Sequence, residues 1–122
     1  MGKRGRRRRA EGQGPADLPD APVAEYADGE GNVLALRGVL TPKTRTEYAR
    51  VREGGSREDA WQRSVEFLFE RLAVRWAPAG VPYAGQRELL ERFRAASPDE
   101  RAWIRDRLRE HLTEHFPEVP AP

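Results

Sequence analysis

Apolar side chains are most concentrated between residues 57 and 76, in the segment REDAWQRSVEFLFERLAVRW. When this segment is wound as a helix at about 100° per residue, its apolar side chains fall on two arcs. The wide arc carries Trp61, Val65, Leu68, Phe69, Leu72, Ala73 and Trp76, and the narrow arc carries Ala60, Phe67 and Val74. A helix with one solvated face needs only one apolar arc, so we expect this helix to have neighbours on two sides.

Helix start signals mark three positions along the chain. Thr41, Ser56 and Ser97 are N-cap residues, and proline directly follows the first and the last of them. A cap side chain accepts a hydrogen bond from an otherwise unpaired N–H, and proline fits the first helical position. Glu100, three residues after Ser97, completes a capping box there. A further amphipathic stripe, in residues 86–96, predicts one more helix. The predicted helices therefore span about residues 42–53, 57–76, 86–96 and 98–116.

The segment before these helices alternates apolar and polar residues. VAEYA and VLALR flank the loop DGEGN, whose Asp-Gly pair is a turn signal, so residues 23–37 predict a short β-hairpin. In this hairpin Leu34 and Leu36 are expected to point inward and Arg37 outward, and Gly38 marks a break or bulge after them.

Together the elements predict a mainly α fold. We expect a compact four-helix domain at residues 23–117, with a short N-terminal β-hairpin and a tail at 118–122. Residues 1–22 are expected to be disordered, because this Arg-rich arm and acidic Gly/Pro linker contain too few apolar residues to offset their chain entropy.

Charge is distributed unevenly along the chain. Residues 1–10 contain no acid and six basic side chains, at Lys3, Arg4, Arg6, Arg7, Arg8 and Arg9. Residues 11–32 contain six acids and no base, so these two blocks cancel. Attraction to a polyanion is therefore expected in the first ten residues, which are the candidates for nucleic-acid contact or, alternatively, a solubilising tail.

Composition narrows the class of protein further. The chain has no cysteine, which excludes disulfides and thiolate metal sites. No apolar run approaches the ~20 residues of a membrane span, and no apolar stretch follows the basic arm as in a secretory signal. We expect a cytoplasmic protein, and the excess of arginine over lysine is typical of a GC-rich bacterium or its phage.

The sequence HLTEH, with His111 and His115, matches the H-x-x-E-H pattern of inverted zinc peptidases. Such a site needs a third protein ligand well downstream, which the sequence FPEVPAP after it does not offer. We interpret both histidines as structural and predict no metal or other cofactor. The candidate serine nucleophiles Ser56 and Ser97 are explained as helix caps, so we predict that the protein is not an enzyme.

Two segments resemble known families. LTPKTRTEYARV, residues 40–51, resembles the opening helix of the core-binding domain of tyrosine recombinases. The resemblance implies an association with DNA or DNA-bound proteins rather than recombinase activity. The order of a short β segment, an apolar helix ending in RLAVRW and two further helices is similar to small phage tail assembly chaperones.

Our leading hypothesis is a non-enzymatic helical interaction module, an adaptor or assembly protein that binds a protein partner or forms a homodimer. Phe67 and Val74 on the narrow arc are interface candidates because the second arc needs a cover. Trp103 is the third candidate, because it lies on a charged helix face, although Arg107 could instead stack over it or the hairpin could cover it. The alternatives are a nucleic-acid-associated accessory protein using the arm and a tail-assembly-chaperone-like protein. No membrane and no small-molecule substrate are inferred.

Overall fold

A computed structural model describes residues 22–122, and the predictions made for residues 1–21 lie outside this range. The described elements are β1 (Val23–Ala27), β2 (Val33–Arg37), α1 (Pro42–Glu53), α2 (Arg57–Leu72), β3 (Ala73–Ala77), β4 (Tyr83–Ala84), α3 (Gln86–Arg94) and α4 (Pro98–His115), with a short 3-10 turn at Pro78–Gly80 between β3 and β4. Four helices and a four-stranded antiparallel sheet of comparable size make this an α+β fold, so the prediction of a mainly α bundle was wrong.

The correction arises in the central segment, whose helix was expected to continue to residue 76. The helix ends at Leu72, and the next five residues form β3, which pairs antiparallel with β2. Trp76 is compatible with a helix and with a strand. In a helix it would lie one turn after Leu72 on the apolar arc, and in a strand it points to the core face. Its strand neighbour is Leu34, a long-range contact that local periodicity does not contain.

The strands follow one another across the sheet in the order β1-β2-β3-β4. The predicted hairpin is confirmed, since Val23 to Ala27 pair with Arg37 to Val33 in an unbroken register. Leu34 and Leu36 are fully buried on the face toward the helices, as expected, and the strand stops before Gly38. Gly38 donates its N–H to the Pro22 carbonyl at 2.8 Å, which anchors the start of β1.

The opposite face of the sheet carries one cross-strand row of Glu25, Ala35 and Arg75. The guanidinium of Arg75 lies 2.7 Å from a carboxylate oxygen of Glu25, and Ala35 between them is fully buried. A small side chain at the centre therefore allows the two long ones to meet above it.

The helix starts follow the cap signals of the sequence. Thr41, Ser56 and Ser97 each accept a hydrogen bond from the backbone N–H three residues later, at 3.1 Å in all three cases. At Ser97 the box is complete, because Glu100 also accepts from the Ser97 N–H at 3.0 Å. α1 has the predicted bounds, whereas α3 ends at Arg94 and α4 at His115, slightly before the predicted ends.

The core lies between the helices and one face of the sheet. Phe69 from α2 is at its centre, with ring centroids 5.5 Å from Trp76 and 4.8 Å from Phe93. Leu108 of α4 is likewise fully buried. The predicted tail is part of this unit, since Val119 is only 9% exposed.

Candidate functional site

Val74, one of the predicted interface residues, stands at an irregularity of the sheet. Ala35 pairs with Arg75 and Leu36 pairs with Ala73, so Val74 is the extra residue of a β-bulge. Bulges redirect a side chain away from the regular alternation of a strand. Val74 is half-buried and lines a groove of about 760 Å³. We call it the Val74 groove.

Several elements that are distant in sequence build this groove. It lies among the end of β2, the start of α1, the α2–β3 junction and the start of α3. Its apolar lining consists of Val39, Leu40, Ala73, Val74 and Leu89. An apolar floor that is surrounded by polar side chains is the usual anatomy of a protein interface.

The rim of the Val74 groove is predominantly positive. Arg37, Lys43 and Arg71 line it together with one acid, Glu70. Arg71 also pairs with Glu47 of α1 at 2.8 Å. The arrangement is suited to an acidic ligand with an apolar side chain, because cations at a rim attract and orient such a ligand while the floor accepts the apolar group.

Phe67, the second predicted interface residue, is partly covered within the chain. Its ring stacks on Tyr48 of α1 with centroids 6.2 Å apart, and the guanidinium of Arg71 lies 4.6 Å from the Phe67 centroid. α1 therefore covers part of the narrow arc, Phe67 remains partly exposed, and its role as an interface residue stays a prediction.

Trp103, the third predicted interface residue, is half-buried on α4. The Arg107 guanidinium lies 5.4 Å from its ring centroid, in a cation–π contact. Of Phe67, Val74 and Trp103, only Val74 lines the Val74 groove.

The two histidines of HLTEH have different surroundings. His111 is fully buried, its Nε2–H donates to the Arg37 carbonyl at 2.7 Å, and its Nδ1 accepts from the Tyr26 hydroxyl at 2.9 Å. Both nitrogens are thus used by the fold, whereas His115 is exposed beside it with a ring centroid distance of 4.5 Å. Burial lowers the pKa of His111, and burial, followed by the nearby carboxylates Glu114 and Glu110, raises the pKa of Tyr26.

Among residues 22–122, no three His, Asp or Glu side chains are grouped so that they could hold a metal ion. In the same range, no helix has the length and apolarity needed to cross a membrane. Ser64, a buried hydroxyl, donates to the Ala60 carbonyl of its own helix at 2.7 Å. The predicted nucleic-acid residues of the arm lie outside the described part of the chain.

Most residues of the Val74 groove carry no signal in the sequence that would identify them. Val39 follows β2 without a periodic pattern, and Lys43 is an ordinary exposed residue in the first turn of α1. Only the tertiary fold brings them near α3. Gly38 and Pro42, which flank the segment, signal a change of direction there but not its purpose.

Comparison of the chain with protein-family models, with curated proteins and with solved structures found no match. The resemblances to tyrosine recombinases and to tail assembly chaperones therefore stay predictions.

Proposed function

We propose that this chain is a small non-enzymatic interaction module, an adaptor or assembly protein of the cytoplasm, and that it binds an acidic segment of a protein partner in the Val74 groove. The observation that carries the proposal is the combination of an apolar floor at Val39 and Val74 with three cations on the rim. Apolar contact supplies affinity, and the positive rim favours acidic segments over basic ones.

Charge supports a partner of this kind rather than a basic one. Arg37 lies at the β2 end of the groove and Lys43 on the first turn of α1, so an acidic segment would meet cations from two elements. Two carboxylates oppose the three cations, Glu70 on the rim and Glu47, which pairs with Arg71, so the excess positive charge comes from Arg37 and Lys43. A groove 760 Å³ in volume has room for a few side chains of an extended segment or one turn of a helix.

Photocrosslinking in the native host tests the proposal. A benzophenone amino acid replaces Lys43 at the rim in one variant and Thr113 on α4 in a control variant; both positions are exposed and Thr113 does not line the groove. We expect an adduct at position 43 that is absent at position 113. Adding Val74→Glu should abolish it, because a carboxylate in the floor repels an acidic segment, and the crosslinked peptide should be acidic.

Three outcomes would overturn the proposal. Equal adducts at positions 43 and 113 indicate nonspecific capture. A crosslink from position 43 to residues 11–21 of the same chain makes the groove an intramolecular site, and a crosslink to a second copy makes it a homodimer interface.

A second candidate function rests on the distribution of charge. Residues 22–122 contain sixteen basic and seventeen acidic side chains, so the excess positive charge of the chain lies in its first ten residues. If these six cations neutralise six phosphates, the logarithm of affinity should fall with the logarithm of salt concentration with a slope of roughly five. A gel-shift assay that compares the full chain with a chain lacking residues 1–10 decides this, and unchanged binding rejects the arm as a nucleic-acid ligand.

A further inference from the structure

The segment that follows α4, residues 116–122 (FPEVPAP), folds back across α1 and α4 although it forms no helix or strand. Phe116 is 3% exposed and Val119 is 9% exposed, and Pro122 is also buried. A turn, in which the Val119 N–H donates to the Phe116 carbonyl at 2.9 Å, leads the segment away from the helix. The chain is thus seated in a groove, which we call the tail groove.

Side chains of α1 and α4 hold the segment by its carbonyl groups. The Tyr48 hydroxyl donates to the Pro120 carbonyl at 2.6 Å, and Nε of Arg109 donates to the Pro122 carbonyl at 2.6 Å. Arg45 forms an ion pair with Glu118, and the same guanidinium lies 5.6 Å from the Phe116 ring. Beyond the turn, these polar contacts are made by side-chain donors rather than by a backbone ladder.

This is the chemistry by which proteins recognise proline-containing peptides. Proline has no N–H, so a segment rich in proline presents mainly carbonyl acceptors and apolar rings. Aromatic-lined grooves with side-chain donors bind such segments at low entropic cost, because the peptide is already stiff. Tyr48 supplies both the ring and the donor.

The tail groove extends past its occupant. A cleft of about 370 Å³ borders Val119 and Pro120 and is lined on α1 by Ala49, Arg52 and Glu53. The groove therefore has space for a peptide longer than the resident segment along the exposed side of α1.

From these contacts we infer that the tail groove is a recognition site for proline-containing peptides of the form carboxylate, apolar residue, proline, and that residues 117–122 are its intramolecular occupant. When the tail leaves, a partner segment of the same chemistry takes its place. The carboxylate pairs with Arg45, the apolar residue fills the place of Val119, and the following carbonyl accepts from Tyr48. The tail groove shares no lining residue with the Val74 groove, so the two proposals are tested independently.

A tethered occupant has the advantage of a high local concentration. Short flexible tethers give effective concentrations of about a millimolar or more, so a free peptide competes poorly with the resident tail. The full chain should therefore bind such peptides only weakly until the tail is displaced.

Peptide binding to a tail-released variant tests the inference. Val119→Asp places a charge at a buried position of the tail and leaves every groove residue intact. A fluorescent peptide FPEVPAP should bind this full-length variant and not the wild-type chain at the same concentration, whereas the peptide FPEDPAP should bind neither. Adding Tyr48→Phe should weaken binding by about fivefold, the usual effect of losing one hydrogen bond.

Tail release is checked separately from binding. In Val119→Asp the NMR signals of residues 117–122 should move to the positions of an unstructured chain, and the signals of Tyr48 and Arg109 should shift because their contacts with the Pro120 and Pro122 carbonyls are lost. A folded, tail-released variant that does not bind FPEVPAP, or that binds FPEDPAP equally well, overturns the inference.

If Val119→Asp does not fold, the wild-type chain still decides the question. FPEVPAP at several times the effective concentration of the tail, on the order of 10 mM, should displace the tail and produce saturable NMR shifts that are confined to residues 116–122 and to Arg45, Tyr48 and Arg109. The absence of such shifts, or identical shifts with FPEDPAP, would reject the tail groove as a peptide site.

Discussion

Replacing His111 by leucine should destabilise the fold strongly, because this side chain links α4 to the hairpin. The substitution keeps the apolar volume but removes both polar contacts, leaving the Arg37 carbonyl and the Tyr26 hydroxyl without their partner. An enclosed polar group that loses its hydrogen bond costs about 1–3 kcal/mol, and the hydroxyl of half-buried Tyr26 recovers part of its loss from water. We therefore expect a loss of roughly 2–4 kcal/mol, a large fraction of the 5–15 kcal/mol typical of a domain.

The same residue should make stability depend on pH. Burial lowers the pKa of His111 below its ordinary 6.5, so the folded protein takes up this proton later than the unfolded chain does as the pH falls. The stability contributed by neutral His111 is complete above about pH 6.5 and decreases as the pH falls toward the folded pKa, by at most about 1.4 kcal/mol per pH unit. His111→Leu should remove this part of the slope.

Urea unfolding followed by tryptophan fluorescence, at about pH 7.5 and about pH 5.5, measures both effects. His115→Gln is the matched control, since it removes the exposed neighbour and keeps the contacts of His111. Tyr26→Phe should cost about 1–3 kcal/mol, because it leaves Nδ1 of the fully buried His111 without its donor. Two results would refute the role given to this histidine. One is an unchanged urea midpoint in His111→Leu, and the other is a wild-type midpoint that is no lower at the acidic pH than at the neutral pH.

Three further predictions test particular parts of the fold. Glu25→Arg and Arg75→Glu should each lower stability slightly and the double variant should recover up to about 1 kcal/mol in a thermodynamic cycle, because both side chains are more than half exposed; a double variant that loses more than the two single losses together would contradict the proximity of these side chains. Ser97→Ala should cost about 1 kcal/mol in chemical denaturation through loss of the α4 cap, and an unaltered midpoint would contradict the capping box. Ala79→Gly should increase the free energy of unfolding by up to about 1 kcal/mol and so raise the melting temperature, because Ala79 has φ of 52° in the left-handed region that disfavours a Cβ. A clear loss of stability would contradict that backbone conformation.

Local signals in the sequence were sufficient for the features that local chemistry determines. The caps at Thr41 and Ser97 mark helix starts because the interaction spans only three residues. The hairpin was predictable because turn residues separate two alternating segments that pair with each other. The local signals therefore give the element order apart from β3 and β4.

The sheet itself could not be predicted in this way. Trp76 satisfies a helical arc and an inward strand position equally well, and the deciding partner, Leu34, belongs to a strand on the far side of two helices in the sequence. The neighbour that packs against Phe67 could not be predicted for a related reason. The arc of Phe67 does need a cover, but Tyr48 of the thinly apolar α1 supplies it, and the wheel of one helix contains no information about which neighbour it will meet.

The direct junction of α2 and β3 restricts how the length of this chain can vary. Leu72 is the last helical residue and Ala73 the first strand residue, so no loop absorbs a change between them. One residue added between α2 and β3 would turn Trp76 from the core to the solvent, or rotate all of α2 against α1. Either shift would disturb the packing of the elements on both sides of the junction. By contrast, the hairpin loop of residues 28–32 has room at its tip, where an added Cβ at Gly29 would meet nothing within 4 Å, although its end is held to Gly80 and Ala79 through Gly31 and Asn32. Natural or engineered insertions should therefore be tolerated at that tip and selected against at the junction.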